Sequence, residues 1–321
     1  MEAERMTLTQ LSAFVLVARL GSVKAAADAL SVSESAVSQA IAALRKYLGD
    51  PLVTRGGTGM VLTPGGSRLL NIAAQVVALG AEAEAAVRSA TGGPEQLRLV
   101  APGEIVEFVS APVAEVFHAR SAGAFEVTSG VSTSAAEMAV LVSQRLADVA
   151  LGPYLGADRS LGLVSEPVFR GRLVVLAAAD ARLTGPPSLW PWLVDSSATD
   201  PASDVSRLLR GLRVPESRLL VFPNQTAAWG AAARGEGVAP ATAHLAVHQL
   251  RRRELRVLEL PGTPLELCWY FTALPIDRRS AAAASLRHFV GTPEAMKLFR
   301  TPSAGLPPSR FKPPVYVTIW S

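Results

Sequence analysis

The chain has 321 residues, 49% hydrophobic and 18% charged, which suits two or three folded domains and excludes a disordered chain. No apolar run reaches the roughly 18–20 residues of a membrane span, and MEAERMTLTQ lacks the basic-then-apolar order of a secretion signal, so a cytoplasmic protein with no membrane partner is expected. A single cysteine, Cys268, excludes an intrachain disulfide and a Cys-rich zinc site, and the net charge of +4 permits nucleic-acid binding without demanding it.

LTQLSAFVLVARL (8–20) sets Leu8, Leu11, Val15 and Ala18 at helical spacing, and Gly21 stops that helix. Ser22 caps a second helix, roughly 23–30, and Ser33 a third, roughly 34–48. The third carries an apolar stripe of Ala36, Val37, Ile41, Leu44 and Leu48, and Gly49 ends it. DPLVTRGGTGMVLTPGG then reads as a hairpin around Gly56, Gly57 and Gly59. Three helices and a hairpin are the layout of a winged helix-turn-helix. From Pro64 to about Thr91 a long helix follows. In it Leu69, Ala73, Val76, Gly80, Ala83 and Val87 alternate spacings of four and three, a heptad-like dimerisation seam of mostly small residues.

TGGPEQ (91–96) reads as a linker, after which strands and helices alternate. The first series is LRLVAP (97–102), a helix over 104–120, FEVTSGV (125–131), a helix over 134–146 and DVALGPY (148–154). The second is RLVVLAA (172–178), WLVD (192–195), a helix near 204–212, RLLVFPN (218–224), a helix over 226–234, a short strand at 237–240 and a helix over 241–254. Strand-like runs at 255–260 and 265–274 precede a last helix from about Ser280. Such alternation marks doubly wound α/β sheets, and two series suggest two lobes with a cleft between them. The organisation expected is a DNA-binding domain (1–65), a linker helix and hinge (66–93), an effector domain (94–300) and a Pro-rich tail (301–321). Within the effector domain, lobe I spans about 94–165 and 266–300, and lobe II about 166–265. The tail reads either as extended chain or as an edge strand over 315–320.

In a helix-turn-helix the second helix of the pair enters the major groove and shows its first residues to base edges. Here those are Ser33, Glu34, Ser35, Ala36, Ser38 and Gln39, of which Ser and Gln both donate and accept, while Glu accepts from cytosine. Ser22, Lys24, Arg45, Arg55 and Thr63 flank them as candidate phosphate contacts, with Arg55 near the hairpin tip where a wing reaches a minor groove.

Residues 8–70 resemble the N-terminal domain of LysR-type transcriptional regulators. The matching pieces are Ala26-Ala27 before Leu30, Ser33 with Ala36-Val37-Ser38, Ile41 with Leu44, Leu48-Gly49, Leu52 with Arg55, and Leu62-Thr63 with Gly65-Gly66. Gly130, RLADVAL (145–151) and GEGVAP (235–240) resemble the family's effector domain more loosely. Two departures stand out: Glu34-Ser35 replaces the family's common Gln-Pro, and Lys24 stands where Ser or Thr is frequent. The resemblance implies a homodimer or homotetramer joined through the linker helix and bound to promoter DNA. It also implies a two-lobed effector domain like the periplasmic binding proteins, holding a small metabolite, often a carboxylate. The effector would then alter DNA bending or the access of RNA polymerase.

Ligands of two-lobed α/β modules sit at the carboxyl ends of strands. That rule selects Pro102, Gly103 and Glu104; Ser129, Gly130, Ser132 and Thr133; Asp195, Ser196 and Ser197; and Asn224, Gln225 and Thr226. Helix-capping amides there suit an anion, whereas Glu104 suits a zwitterion or an amine, or else only caps its helix. No G-x-S-x-G elbow is present, and GGTG (56–59) lacks the Lys-Ser/Thr of a phosphate loop, so neither an enzyme nor a cofactor is expected. His244 and His248, four apart on an expected helix, read as surface or packing residues, and Cys268 as a buried thiol. The alternative reading is a small-molecule-binding protein whose helical N-terminus serves assembly.

Overall fold

The computed structural model describes residues 6–301, apart from 31, 57–58, 91–92, 133 and 157–158. The stretch 302–321, and with it either reading of the tail, lies outside the described residues. Helices α1 (Leu8–Leu20), α2 (Val23–Leu30) and α3 (Glu34–Leu48) form where the caps place them. Thr7 and Gln10 close a capping box on α1, and the Ser33 hydroxyl accepts the Ala36 amide at the head of α3. Gly21 and Gly49 turn left-handed at the two C-termini. α1 is apolar nearly all round and is accordingly enclosed. One side packs Leu16 and Val17 with Ala26, Ala27, Val37 and Ile41, and the other packs Leu11, Phe14 and Val15 with Leu44, Leu52 and Val53. Strands β1 (Val53–Gly56) and β2 (Gly59–Leu62) pair antiparallel as a wing.

The long helix α4 (Pro64–Ala90) docks on α1 through Leu70, Ala73 and Val77. It passes so close that a Cβ on Gly80 would lie 3.0 Å from the Leu8 side chain. This turns the expected seam. Leu69, Ala73 and Gly80 face the chain's own first helices, because small residues let α4 approach α1. Ile72, Val76, Leu79, Ala83 and Val87 form the exposed stripe instead.

The α/β region begins with β3 (Glu95–Ala101), two residues inside the stretch read as linker. A continuous helical run follows: α5 (Gly103–Ile105), a π turn (Val106–Ser110) and α6 (Ala111–Arg120). The π turn precedes Pro112, which has no amide to continue the regular ladder. Next come β4 (Phe125–Val131), α7 (Ala135–Ser143), β5 (Val149–Gly152), β6 (Val164–Ala178), β7 (Trp192–Val194) and α8 (Asp204–Gly211). The rest is β8 (Leu219–Val221), α9 (Gln225–Ala233), β9 (Ala239–Thr242), α10 (Val247–Arg251), β10 (Leu255–Leu258), β11 (Leu265–Ala273), α11 (Ala281–Val290) and α12 (Pro293–Arg300).

The sheet is mixed. Its order is β10-β6-β11-β5-β3-β4 with β9 also on β6, and β3 pairs parallel with β4 and β5 while β6 pairs antiparallel with β9, β10 and β11. β7 and β8 form a parallel pair tied to the strand entering β9 through Trp192 and Val238. β6 is far longer than the seven residues expected, starting at Val164 rather than at Arg172. A bulge at Val168, opposite Trp269 and Tyr270, absorbs the proline and lets the strand run on through both lobes. Helix α10 is shorter than expected because Ala241 and Thr242 belong to β9, and α7 ends at Ser143.

Two packing features join the lobes to each other and to the helical domain. Phe108 of the π turn and Trp229 of α9 stack with centroids 5.2 Å apart and planes at 21°, joining the lobes behind the cleft. Met138, Leu141 and Val142 of α7 belong to the same apolar cluster as Leu16, Val17, Ala26, Ala27 and Ile41 of the helical domain.

Candidate functional site: a helix open to solvent and an acidic crevice

The head of α3 is open to solvent. Glu34, Ser35, Ala36, Ser38 and Gln39 are all exposed, as are Lys24 and Ser33. Gln39 Nε2 donates to Ser35 Oγ at 3.4 Å, and Ser22 and Ser33 accept the amides of Ala25 and Ala36 as caps at 3.2 and 3.1 Å. Two expected phosphate contacts also make bonds within the protein. The Arg45 guanidinium donates to the Val53 carbonyl at 2.9 Å, bracing the wing against α3. Thr63 Oγ1 donates to Asp50 Oδ1 at 2.7 Å and accepts the Gly66 amide at 2.9 Å, so it clamps the wing to α4. The Thr63 hydroxyl and the Leu52 amide hold the Asp50 carboxyl below its ordinary range. Arg55 lies within β1, in register with Met60.

Between the lobes is a cavity of about 80 Å³. Pro102, Glu104, Ser132, Ser134, Ala135 and Met138 line it from the first lobe, and Ser197, Asp200, Ser203, Asp204, Val205 and Thr242 from the second. Leu173, Leu267, Cys268 and Trp269 of the long strands complete the wall. Of the residues selected from sequence, Pro102, Glu104, Ser132 and Ser197 reach it. Gly103 opens the helix beside Asp195, whose Oδ2 would lie 3.7 Å from a Cβ there. Ser129 and Gly130 sit within β4, paired with Leu99 and Val100, and not on the cavity wall. Thr133 lies outside the described residues, and Ser196 is exposed. Asn224 caps α9 by accepting the Ala227 amide at 2.7 Å, and Gln225 and Thr226 occupy the first turn behind the cavity. Cys268 is half-buried on the wall rather than fully buried. His244 precedes α10, and packs on Phe169 and Trp269 with centroids 4.7 and 5.4 Å away. Burial holds its imidazole neutral, its pKa pushed down to about 4.

At the crevice, hydrogen bonds from Thr242, Thr226 and Ala135 cross from lobe to lobe, and a carboxylate accepts each one. Thr242 Oγ1 donates to Glu104 Oε2 at 2.9 Å, the Thr226 amide to Glu107 Oε1 at 3.3 Å, and the Ala135 amide to Asp200 Oδ2 at 2.9 Å. Asp195 Oδ1 accepts from the amide and hydroxyl of Ser197. Burial pushes the Glu104 carboxyl up to about 7, against the pull of its bond from Thr242 and helped by neighbouring Asp195, Asp204 and Glu107. Burial also raises Glu107, Asp195 and Asp204, the last opposed by the Arg207 guanidinium at 2.5 Å.

These shifts fix a pH dependence. A carboxyl whose pKa is higher folded than unfolded keeps its proton in the fold where the unfolded chain has lost it, so stability falls as pH rises through that window. For Glu104 the window runs from 4.5 to about 7. The Tm is therefore expected to decline between pH 5 and 8, and Glu104→Gln is expected to flatten part of the decline. At pH 8 the variant should melt a few degrees higher, for a gain on the order of 2 kcal/mol. Differential scanning fluorimetry across that range checks it. A wild-type Tm that rises through the window would refute the assignment.

The comparisons with known proteins match both halves. The family model for the bacterial regulatory helix-turn-helix protein of the lysR family matches residues 8–67, and that for the LysR substrate binding domain matches 90–292. An uncharacterized HTH-type transcriptional regulator of Mycobacterium tuberculosis is 32% identical over 326 aligned positions, covering 98% of this chain and 100% of its own. The HTH-type transcriptional regulator CfxR of Cupriavidus necator is 26% identical over 298 positions, covering 89% of this chain and 91% of its own. Among solved structures, a full-length AphB variant superposes with a TM-score of 0.56 at 16% identity, over 89% of this chain and 98% of that one. ArgP from Mycobacterium tuberculosis gives 0.51 at 22% identity, over 88% and 95%. Helical head, wing, long helix and two-lobed α/β module thus stand in the order of these regulators, and the chain belongs to the LysR family of DNA-binding transcriptional regulators with an effector-binding domain.

Proposed function

We propose that this regulator reads promoter DNA with the head of α3, from Ser33 to Gln39, and sets its register with Lys24 and the wing that carries Arg55. Ser38 and Gln39 read base edges; Arg45 and Thr63 act by holding the wing in place. In this reading residues 1–65 bind DNA, 66–93 join copies into a homodimer or homotetramer, and 94–300 hold a small-molecule effector in the crevice. The exposed stripe of Ile72, Val76, Leu79 and Val87 is the surface that a second copy covers. An effector that prefers one lobe arrangement shifts the angle between paired DNA-binding heads, and with it DNA bending or the access of RNA polymerase in the cytoplasm. The observation that carries the reading is the polar, solvent-open first turns of α3, capped by Ser33 and braced to the wing by Arg45.

Fluorescence anisotropy with the DNA upstream of its own gene, against scrambled DNA at two salt concentrations, tests it. The upstream site is expected to win by about 10³-fold. Ser38→Ala should weaken that site by about tenfold or more. Arg55→Ala should weaken both DNAs alike and flatten the salt dependence. Equal binding of both DNAs by the wild type, unchanged by Ser38→Ala, would overturn the assignment of α3.

A further inference from the structure

The turn that ends α7 is made by a residue type that such turns do not favour. Arg145 takes a left-handed φ of 56°, at the position past a helix end that glycine usually holds. Its amide donates to the Val142 carbonyl at 3.1 Å, and the Leu146 amide donates to the Leu141 carbonyl at 2.9 Å. Arg98 of β3 holds this turn from outside. Its guanidinium donates to the Arg145 carbonyl at 2.9 Å and to the two Asp148 oxygens at 3.0 and 3.1 Å. Its amide donates to Asp148 Oδ2 at 2.8 Å, and the Asp148 amide donates in return to the Arg98 carbonyl at 2.9 Å. The two side chains are mostly buried, so salt screens the pair little.

What this braced turn presents is Leu146. A residue at that position commonly packs back on the helix it follows. Leu146 packs in addition on the core of the helical domain, which includes Phe14 and Val15 of α1, Leu44 of α3 and Leu70 of α4. It belongs to the α/β region by sequence and to the helical domain by packing. β3, the strand that carries Arg98, is also the strand that α4 leads into after residues 91–94. One covalent connection between two bodies does not fix their rotation about it, whereas a second fixed contact does. Leu146 supplies that second contact, and Arg98 ties it to the strand that the connection enters.

We propose that Leu146 is a latch between the helical domain and the first lobe. Seated, it fixes the helical domain on the lobe; released, it lets that domain swivel about the connection to β3. The contact suits a latch because it is apolar and Leu146 is only half-buried. Such a side chain shifts a docking equilibrium by something on the order of tenfold, which biases the arrangement without locking it. Arg98 is a positioning residue that aims the turn. On the reading of α3 as the DNA reader, a movement of the lobes reaches DNA only while Leu146 is seated.

The five tryptophans are residues 190, 192, 229, 269 and 320, none of them in the helical domain, so tryptophan fluorescence follows the melting of the α/β region alone. The full chain is melted with and without the DNA upstream of its own gene, and anisotropy reports whether the DNA is bound. DNA at about 100 times its Kd should raise the wild-type Tm by about 5 °C, a gain delivered from the helical domain through the latch. Leu146→Asp should still bind the DNA, but its rise should fall below about 1 °C. Leu146→Ala, which removes the contact without adding a charge, should show the same loss in smaller measure. Leu146→Met should behave as the wild type, and Arg98→Lys, which keeps the charge without the fork, should lie between. Equal rises in the wild type and both Leu146→Asp and Leu146→Ala, or no rise in a wild type that has bound the DNA, would overturn the latch.

Calorimetry of the DNA-free chain gives a readout that does not depend on α3. The helical domain should melt together with the first lobe in the wild type and separately in Leu146→Asp. A wild type with no preference for the upstream DNA would sink the reading of α3, and the calorimetric traces then decide the latch alone. Separate melting confined to the Leu146 variants upholds it, and traces that coincide overturn it.

Discussion

Gly66→Ala is expected to weaken binding to the upstream DNA by more than tenfold and to lower stability by roughly 3 kcal/mol, the upper end of what overpacking costs. A Cβ at Gly66 would stand 2.0 Å from the Leu52 carbonyl oxygen and 2.9 Å from its carbon. Those are backbone atoms, and three things fix them: Leu52 adopts a left-handed φ of 60°, its amide donates to Asp50, and its carbonyl accepts the Thr63 amide. The wing cannot retreat without leaving the clamp that Asp50 and Thr63 make with the start of α4. Gly65→Ala supplies the contrast. There the nearest atom is the Asp50 carboxylate at 2.1 Å, a side-chain group that can turn away at the cost of its bonds to Leu52 and Thr63. Gly65→Ala should therefore cost less than Gly66→Ala. Anisotropy and thermal melting of the two variants side by side decide it, and a Gly66→Ala chain that binds DNA like the wild type would disprove the clamp.

Trp229→Ala is expected to cost about 3–5 kcal/mol, which for a chain of this size is on the order of 10 °C in Tm. Trp229 is fully buried, lies against Phe108 from the other lobe, and donates its indole N–H to the Pro240 carbonyl at 3.2 Å. Truncation opens a void behind the crevice, leaves Phe108 without its stacking partner, and leaves a buried carbonyl without that donor. Trp229→Phe keeps a ring against Phe108 and loses the N–H and part of the indole's volume, so it should fall between the wild type and Trp229→Ala. A chemical-denaturation series measures the three; a Trp229→Ala cost below about 1 kcal/mol would mean that the lobes close around the loss.

Much of this was legible in the sequence because its signals are local. Caps at Ser22 and Ser33, stops at Gly21 and Gly49, and the Gly-rich hairpin act within a few residues, and the helices and strands of the helical domain fall where those residues put them. The failures are long-range. Pro167 would interrupt an isolated strand, but a bulge against a partner about 100 residues away lets β6 run through it. The heptad seam of α4 was real as a small-residue stripe, yet which helix it meets depends on α1, more than 50 residues earlier. Searching strand ends for the effector site found Glu104 and Ser197 but missed Thr242 on an antiparallel strand, and the Leu173 and Leu267 wall, whose side chains meet only once the lobes close. The bonds that Arg45 and Thr63 make within the chain were likewise hidden, because a basic or hydroxyl residue near a wing carries no sign that a carbonyl or a carboxylate of the chain holds it.

Helix α7 belongs to two structures at once. Its first residue, Ala135, gives its amide to Asp200 across the crevice, while Met138, Leu141 and Val142 along its length share an apolar core with α1, α2 and α3. In mechanical terms it is a crank held at both ends. A shift of the second lobe that pulls on Asp200 would act, through nine residues of helix, on the helical domain. Close packing leaves little slack between those points, so the two ends share one degree of freedom. On the proposed reading of the crevice and α3, one short shaft spans the distance from metabolite to promoter.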